Sequence, residues 1–246
     1  MSAVSKGCLD FNEMEQTQMI GIIAAMQKEM ELIAEQMEDA VHEEAGGIRF
    51  TRGKIGGRDV VCAVCGIGKV FAAMCAEAMI IKYSPSLMIN TGVGGTLTDK
   101  LTIGDVAVSS AVCQHDMDTT ALGDEPGLVS GINRVYFEAE VDAAEKIEEI
   151  AEKMGIHTVR GTIASGDRFV ADKETKERIV RLFGAVVCEM EGGAIGHVCF
   201  VCGVPFVVIR AVSDDADGGA CEDYPAFAAA SARRSAALVC EFIKNQ

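Results

Sequence analysis

The sequence predicts an α/β fold, a single domain with a mixed, mostly parallel central sheet flanked by helices. Three observations carry that reading. Short apolar runs rich in Val, Ile and Ala alternate with amphipathic or Ala-rich stretches along the chain, the pattern of strands covered by helices on both faces. The 246 residues are 49% hydrophobic, with four prolines and no Pro-rich or Ser/Gly-rich tract, so one large core fits better than two linked ones. Two of the apolar runs end in acidic clusters, Cys188-Glu-Met-Glu191 and Ser213-Asp214, where a parallel sheet places its sites at the strands' carboxyl ends.

In chain order, Met19–Ala25 reads as a buried strand and Met26–Met37 as the helix after it. Ile48–Lys54 and Val60–Val64, split by Gly56-Gly57, read as a hairpin. Gly68–Ile81 is Ala/Met-rich and helical, and Leu87–Asn90 is a short strand running into the Gly cluster Thr91–Gly95. Asp105–Val112 alternates as a strand and Phe137–Met154 reads as a charged amphipathic helix. Thr158–Ala164 and Ala185–Cys188 read as strands, with the helix Lys173–Leu182 between them. Helix Gly192–Cys202, strand Pro205–Ala211 and the long helix Pro225–Lys244 complete the chain. Met1–Thr17 has no period and is expected to be a loose extension ahead of a domain spanning residues 18–246.

The net charge of −15 argues against a nucleic-acid partner, because phosphate contacts need clustered Lys and Arg. Residues 1–17 hold no apolar core of a signal peptide, and no apolar run is long enough to span a bilayer. The expectation is a cytoplasmic chain whose ten cysteines are mostly buried, reduced thiols. Two Cys-x-x-Cys pairs invite a metal reading that their setting opposes. Cys62 and Cys65 lie on a predicted strand, where i and i+3 point to opposite faces, and Cys199 and Cys202 lie on an apolar helix. Gly66-Ile-Gly-Lys69 lacks the upstream Gly and following Ser/Thr of a phosphate loop.

Six segments, taken together, resemble one family: Gly21-Ile-Ile-Ala-Ala-Met-Gln-Lys-Glu29, Cys65-Gly-Ile-Gly-Lys69, Ile89-Asn-Thr-Gly-Val-Gly-Gly95, Ser165-Gly-Asp-Arg-Phe169, Glu189-Met-Glu191 and Arg210-Ala-Val-Ser-Asp214. Their order and spacing are similar to those of the bacterial 5′-methylthioadenosine/S-adenosylhomocysteine nucleosidases, within the wider nucleoside phosphorylase family. The resemblance covers roughly residues 19–244. It implies a nucleoside phosphorylase-like fold, a small-molecule nucleoside as ligand, no cofactor or metal, and a homodimer.

The resemblance also implies roles. Glu29 is the expected base for the attacking water and Asp214 the acid that protonates the purine at N7, with Ser213 orienting it. Glu191 is expected on the ribose 2′-hydroxyl with Met190 under the sugar, and Arg210 is expected to orient water and carboxylates. Phe169 is expected to stack on adenine and the Val170 backbone to touch its edge. Met26 and Tyr224 fall where the family lines its 5′-substituent pocket. His115-Asp116-Met117-Asp118 is similar to a family loop near the subunit interface. On the residues alone, Glu29 reads rather as a dipole-complementing first-turn acid, whereas for Asp214 the cap or loop reading is weakened by Arg210 and Ser213 beside it. Glu189 and Glu191, two apart, share a face only if the strand persists, which leaves one for the site and makes Glu189 its support.

Cleaving a purine N-glycosidic bond calls for an acid on the departing base and a carboxylate for the nucleophile. The family's phosphorylases hold phosphate with an arginine and a serine where this chain has Asn90 and Val93, so water is the expected nucleophile. Family nucleosidases usually carry Ser at position 93, and Val93 is a departure. Three alternatives stay open at this level: a futalosine-type nucleosidase, a phosphorylase, and a nucleoside-binding protein with weak turnover.

Overall fold

The structure is a computed structural model describing residues 18–216 and 224–246. The expected extension 1–17 lies outside the described residues. The first strand, β1 (Ile20–Ala24), runs parallel to both β4 (Arg58–Val64) and β5 (Leu87–Thr96). Strand β5 also pairs in parallel with β10 (Phe206–Asp214) and antiparallel with β9 (Ala185–Glu189) at its far end. Strand β10 is antiparallel to β6 (Val106–Gln114), which is parallel to β8 (Thr158–Ser165), itself parallel to β9. The ladder β5–β10–β6–β8–β9 thus returns to β5 and closes a small barrel. Beyond β1 and β4 the sheet continues through β3 (Ile48–Ile55) to the edge strand β2 (Glu38–Ala45).

Helices cover both sides of this mixed sheet. Helices α1 (Gln27–Glu35), α3 (Val141–Lys153) and α6 (Tyr224–Lys244) share one apolar cluster, built from Ile33, Ile147, Leu238 and Ile243 over β1 and β10. On the other side α2 (Lys69–Tyr83) and α5 (Gly192–Cys202) pack Met79, Cys75, Ile195 and Cys199 against Met88 and Phe206. Helix α4 (Lys173–Phe183) places Ile179 and Phe183 over a smaller cluster with Cys113 and Cys188. Cys62 and Cys65 fall in different clusters, as expected for opposite faces of a strand.

The structure departs from the sequence reading in four places. Strand β2, with the sequence EDAVHEEA, is exposed along most of its length. Its acidic composition gives no strand signal, and charge suits an exposed edge. The predicted helix from Phe137 begins only at Val141, because β7 (Tyr136–Glu138) pairs with β6 and sends Phe137 into the core. The Gly cluster Thr91–Gly95 is not a turn but the second half of β5, and Asp214 is the last residue of β10 rather than a residue past it. Glycine is required in β5 by close approach. A Cβ on Gly92 would lie 2.7 Å from Glu29 Oε1, and one on Gly95 would lie 2.7 Å from Asp214 Oδ1.

Candidate active site

The carboxyl ends of β5, β9 and β10 meet the amino end of α1, and four buried carboxylates converge there. Glu29 stands in the first turn of α1 and turns back on its own helix start. Its Oε2 accepts the N–H groups of Ala25 at 3.0 Å and Met26 at 2.8 Å, and its Oε1 that of Val93 at 3.1 Å. Burial raises the Glu29 pKa above the ordinary carboxylate range, while the Arg210 charge and these backbone donors pull the other way.

Arg210, on β10, is 1% exposed and bridges the cluster. Its Nη1 donates to the carbonyls of Ile209 at 3.0 Å and Asn90 at 3.3 Å. Its Nη2 donates to Asn90 Oδ1 at 2.5 Å and to Glu189 Oε2. Burial opposes the guanidinium charge, but Glu189, Glu191 and Glu29 outweigh it and hold Arg210 protonated. Glu189 also accepts from the Ser165 hydroxyl and from the N–H groups of Glu191 at 3.0 Å and Gly192 at 2.8 Å. Four donors thus hold this carboxylate, three on Oε2 and one on Oε1.

Glu191 is held more lightly. Its Oε1 accepts the Gly68 N–H at 2.8 Å, and its Oε2 is 3.8 Å from Arg210 Nη2. Gly68 has a φ of +101° at the start of α2, a conformation that glycine adopts without strain. Burial, then the charge of Glu189, push the Glu191 pKa up to about 7 against the pull of Arg210.

Asp214 is buried, accepting from the Ser213 hydroxyl at 2.9 Å on Oδ2 and from the Ala216 N–H at 3.0 Å on Oδ1. Burial raises its pKa, with the Ser213 and Ala216 bonds opposing. Because Glu29, Glu191 and Asp214 are all shifted upward, the folded state binds their protons more tightly than the unfolded chain does. The stability they contribute is therefore complete below about pH 4 and is lost as pH rises through the folded values, about 7 for Glu191. The melting temperature is expected to fall between about pH 4.5 and about pH 7, and Glu191→Gln to flatten that fall. A melting temperature that rises over this interval in the unmodified chain would contradict the assignment.

These groups open on one cleft that encloses about 610 Å³ of space, its open mouth included. Met26, Glu29, Phe169, Val170, Glu189, Met190, Glu191 and Asp214 all line it. Arg210 and Ser213 stand behind the carboxylates, and the Tyr224 side chain lies outside the described residues. The structure adds Ile67, Arg168 and Cys188 to the lining. Ile67 and Arg168 lie inside the segments Cys65–Lys69 and Ser165–Phe169, so the motifs pointed to them without distinguishing them.

Comparison with known proteins agrees with this geometry. Residues 19–244 match the model of the phosphorylase superfamily. The 5′-methylthioadenosine/S-adenosylhomocysteine nucleosidase of Haemophilus influenzae is 40% identical over 225 residues, which span 91% of this chain and 98% of that protein. The chain belongs to this nucleosidase family. A crystal structure of the Neisseria meningitidis nucleosidase with methylthio-immucillin-A superposes with a TM-score of 0.89 at 35% identity, covering 93% of this chain and all of that one. Futalosine hydrolase of Helicobacter pylori also superposes at 0.89, with 33% identity over 94% of this chain and 99% of that one.

As a nucleosidase, the chain is an N-glycosidase, and one detail of its cleft bears on the nucleophile. The Asn90 amide donates to the Ile23 carbonyl at 3.0 Å while its oxygen accepts from Arg210. Both ends of that side chain are spent on the protein. The Val93 N–H is spent on Glu29, and its side chain is apolar. At positions 90 and 93 this nucleosidase offers an anion no charge, and the Val93 N–H is already taken by Glu29.

Proposed function

We propose that this nucleosidase hydrolyses 5′-methylthioadenosine and S-adenosylhomocysteine, and 5′-deoxyadenosine with them, to adenine and a 5-substituted ribose. One observation carries the reading. Two buried carboxylates with raised pKa values, Glu29 and Asp214, abut β5 at Gly92 and Gly95, three residues or roughly 10 Å of strand apart. A ribosyl group and its base fit between them. Ionised Glu29 takes a proton from water as the water oxygen attacks the anomeric carbon. The bond from that carbon to the purine breaks, its electron pair goes to the base, and protonated Asp214 supplies the proton to N7. Glu191 holds the ribose 2′-hydroxyl above Met190, and Phe169 and Val170 hold the adenine. Met26 and Tyr224 face the 5′ substituent. Arg210 and Glu189 keep the carboxylates in place, and Ser213 orients Asp214.

Asp214 also favours a 6-aminopurine, because a carboxylate can accept from an exocyclic amine while a protonated carboxyl donates to N7. The test is adenine release from 5′-methylthioadenosine with and without inorganic phosphate. Equal rates and free 5-methylthioribose are expected. Strict phosphate dependence, or a ribose 1-phosphate product, would sink the hydrolytic reading. Faster cleavage of a 6-oxopurine nucleoside than of 5′-methylthioadenosine would sink the choice of base.

The reading extends to a homodimer formed through α2 and α5. Val70, Phe71 and Met74 on α2 and Val201 on α5 are exposed, Val70 by 71%, and together they make an apolar patch of the kind that marks an interface. Met74→Glu is expected to yield a monomer in sedimentation experiments, and an unmodified chain that sediments as a monomer would refute the dimer. A cytoplasmic setting fits the free thiols of Cys62, Cys65, Cys75, Cys113, Cys188, Cys199, Cys202 and Cys240. No helix among the described residues is long and apolar enough to cross a membrane.

A further inference from the structure

Three segments that are distant in sequence close a ring beside the cleft. The Lys69 ammonium lies 2.6 Å from Asp116 Oδ1. Asp116 Oδ2 accepts the Asp167 N–H at 2.8 Å, and Asp167 Oδ1 accepts the Lys69 N–H at 2.8 Å. Each residue of the ring thus contacts the other two. Lys69 also donates to Gln114 Oε1 at 3.3 Å, tying the ring to the end of β6.

The ring's neighbours in sequence give it meaning. Lys69 follows Gly68, whose N–H is, among the described residues, the one hydrogen-bond donor placed on Glu191 within 3 Å. Asp167 precedes Arg168, Phe169 and Val170, which line the cleft. Asp116 belongs to neither segment and binds both. The ring's ion pair is partly shielded, with the Lys69 and Asp116 side chains 17% and 31% exposed, so solvent screens it less than a free surface pair. Beneath it, the buried His115 ring abuts Gly166 so closely that a Cβ there would lie 2.4 Å from His115 Nε2. The segment before Asp167 therefore has little room to shift inward.

We propose that Lys69, Asp116 and Asp167 form a clasp that sets the register between the sugar-binding and base-binding halves of the cleft. Lys69 and Asp116 are accordingly positioning residues, acting through Gly68 and Glu191 on one side and through Phe169 on the other. The proposal rests on the nucleoside reading given above. A clasp of this kind has a signature that general stabilisation lacks. Opening it weakens ligands that span both halves and spares those that occupy one.

The experiment compares 5′-methylthioadenosine as substrate with adenine as inhibitor, in the full chain and in Lys69→Met, Asp116→Asn and the double variant. KM for the nucleoside is expected to rise about tenfold in each single variant and no further in the double, because the two side chains act as one unit. The adenine inhibition constant is expected to stay within about twofold of the unmodified value, since the base loop keeps its own contacts. Lys69→Arg, which keeps the charge and a donor, is expected to recover most of the loss. Losses that add in the double variant, an unchanged KM, or adenine binding that weakens in parallel with KM would overturn the clasp. An unmodified chain that binds neither ligand would overturn the nucleoside reading and this proposal with it. An unmodified chain that cleaves the nucleoside while both variants keep its KM would overturn the clasp alone.

Discussion

Glu29→Gln is expected to lower kcat for adenine release by about 10²- to 10⁴-fold, the range for losing a positioned general base. The substitution keeps volume and shape but removes the carboxylate proposed to take the proton from water. KM should change little, because Glu29 contacts the nucleophile rather than the nucleoside. The variant also reports on the acid limb of the pH profile. Glu29 must be ionised to act, so activity in the unmodified chain falls as pH drops through its raised pKa, and that limb should vanish in the variant. Stability should move less than activity. The Gln amide oxygen can accept two of the three backbone N–H groups now held by the carboxylate, leaving one donor unpaired at about 1–3 kcal/mol, partly offset because no charge is buried. A kcat within about fivefold of the unmodified chain would remove Glu29 from the chemistry.

Asp214→Asn is the complementary case, with a similar expected loss of about 10²- to 10⁴-fold in kcat. Asn can still donate a hydrogen bond to the base but has no proton to transfer. In its proposed role Asp214 acts in its protonated form, so it should support activity below its raised pKa and lose effect as pH rises, the opposite limb from Glu29. A substrate whose base departs without protonation separates this role from a merely structural one. With such a leaving group the defect of Asp214→Asn should shrink while that of Glu29→Gln persists. Equal defects on both substrates would show that Asp214 serves geometry rather than proton transfer.

Much of this site was legible in the sequence because its parts occupy short segments of unusual composition. Glu191 follows an apolar strand, Asp214 ends another and Arg210 sits inside it, where a charge without partners would be costly. Glu29 was legible through family resemblance alone, since an acid in a first helical turn is ordinary on its own. What stayed hidden depends on contacts between distant segments. The bond from Gly68 to Glu191 spans 123 residues, and no local pattern announces it. The second half of β5 was hidden for another reason. Glycine runs signal turns, and here they mark a strand against which two side chains from elsewhere are pressed. The closure of the barrel was likewise invisible, because periodicity identifies strands but says nothing of which strand meets which.

Strand β5 hydrogen-bonds to β1, β9 and β10, and this has a consequence for how the protein breathes. Its amides cannot be released one edge at a time, so they should exchange with deuterium only through opening on the scale of the whole fold. The backbone against which Glu29 and Asp214 rest is then as slow to move as any part of the molecule. Adjustment to the bound nucleoside falls instead to the rim, where Phe169, the proposed adenine contact, is 50% exposed. Chemistry and selection are thus assigned to parts of the chain with very different clocks.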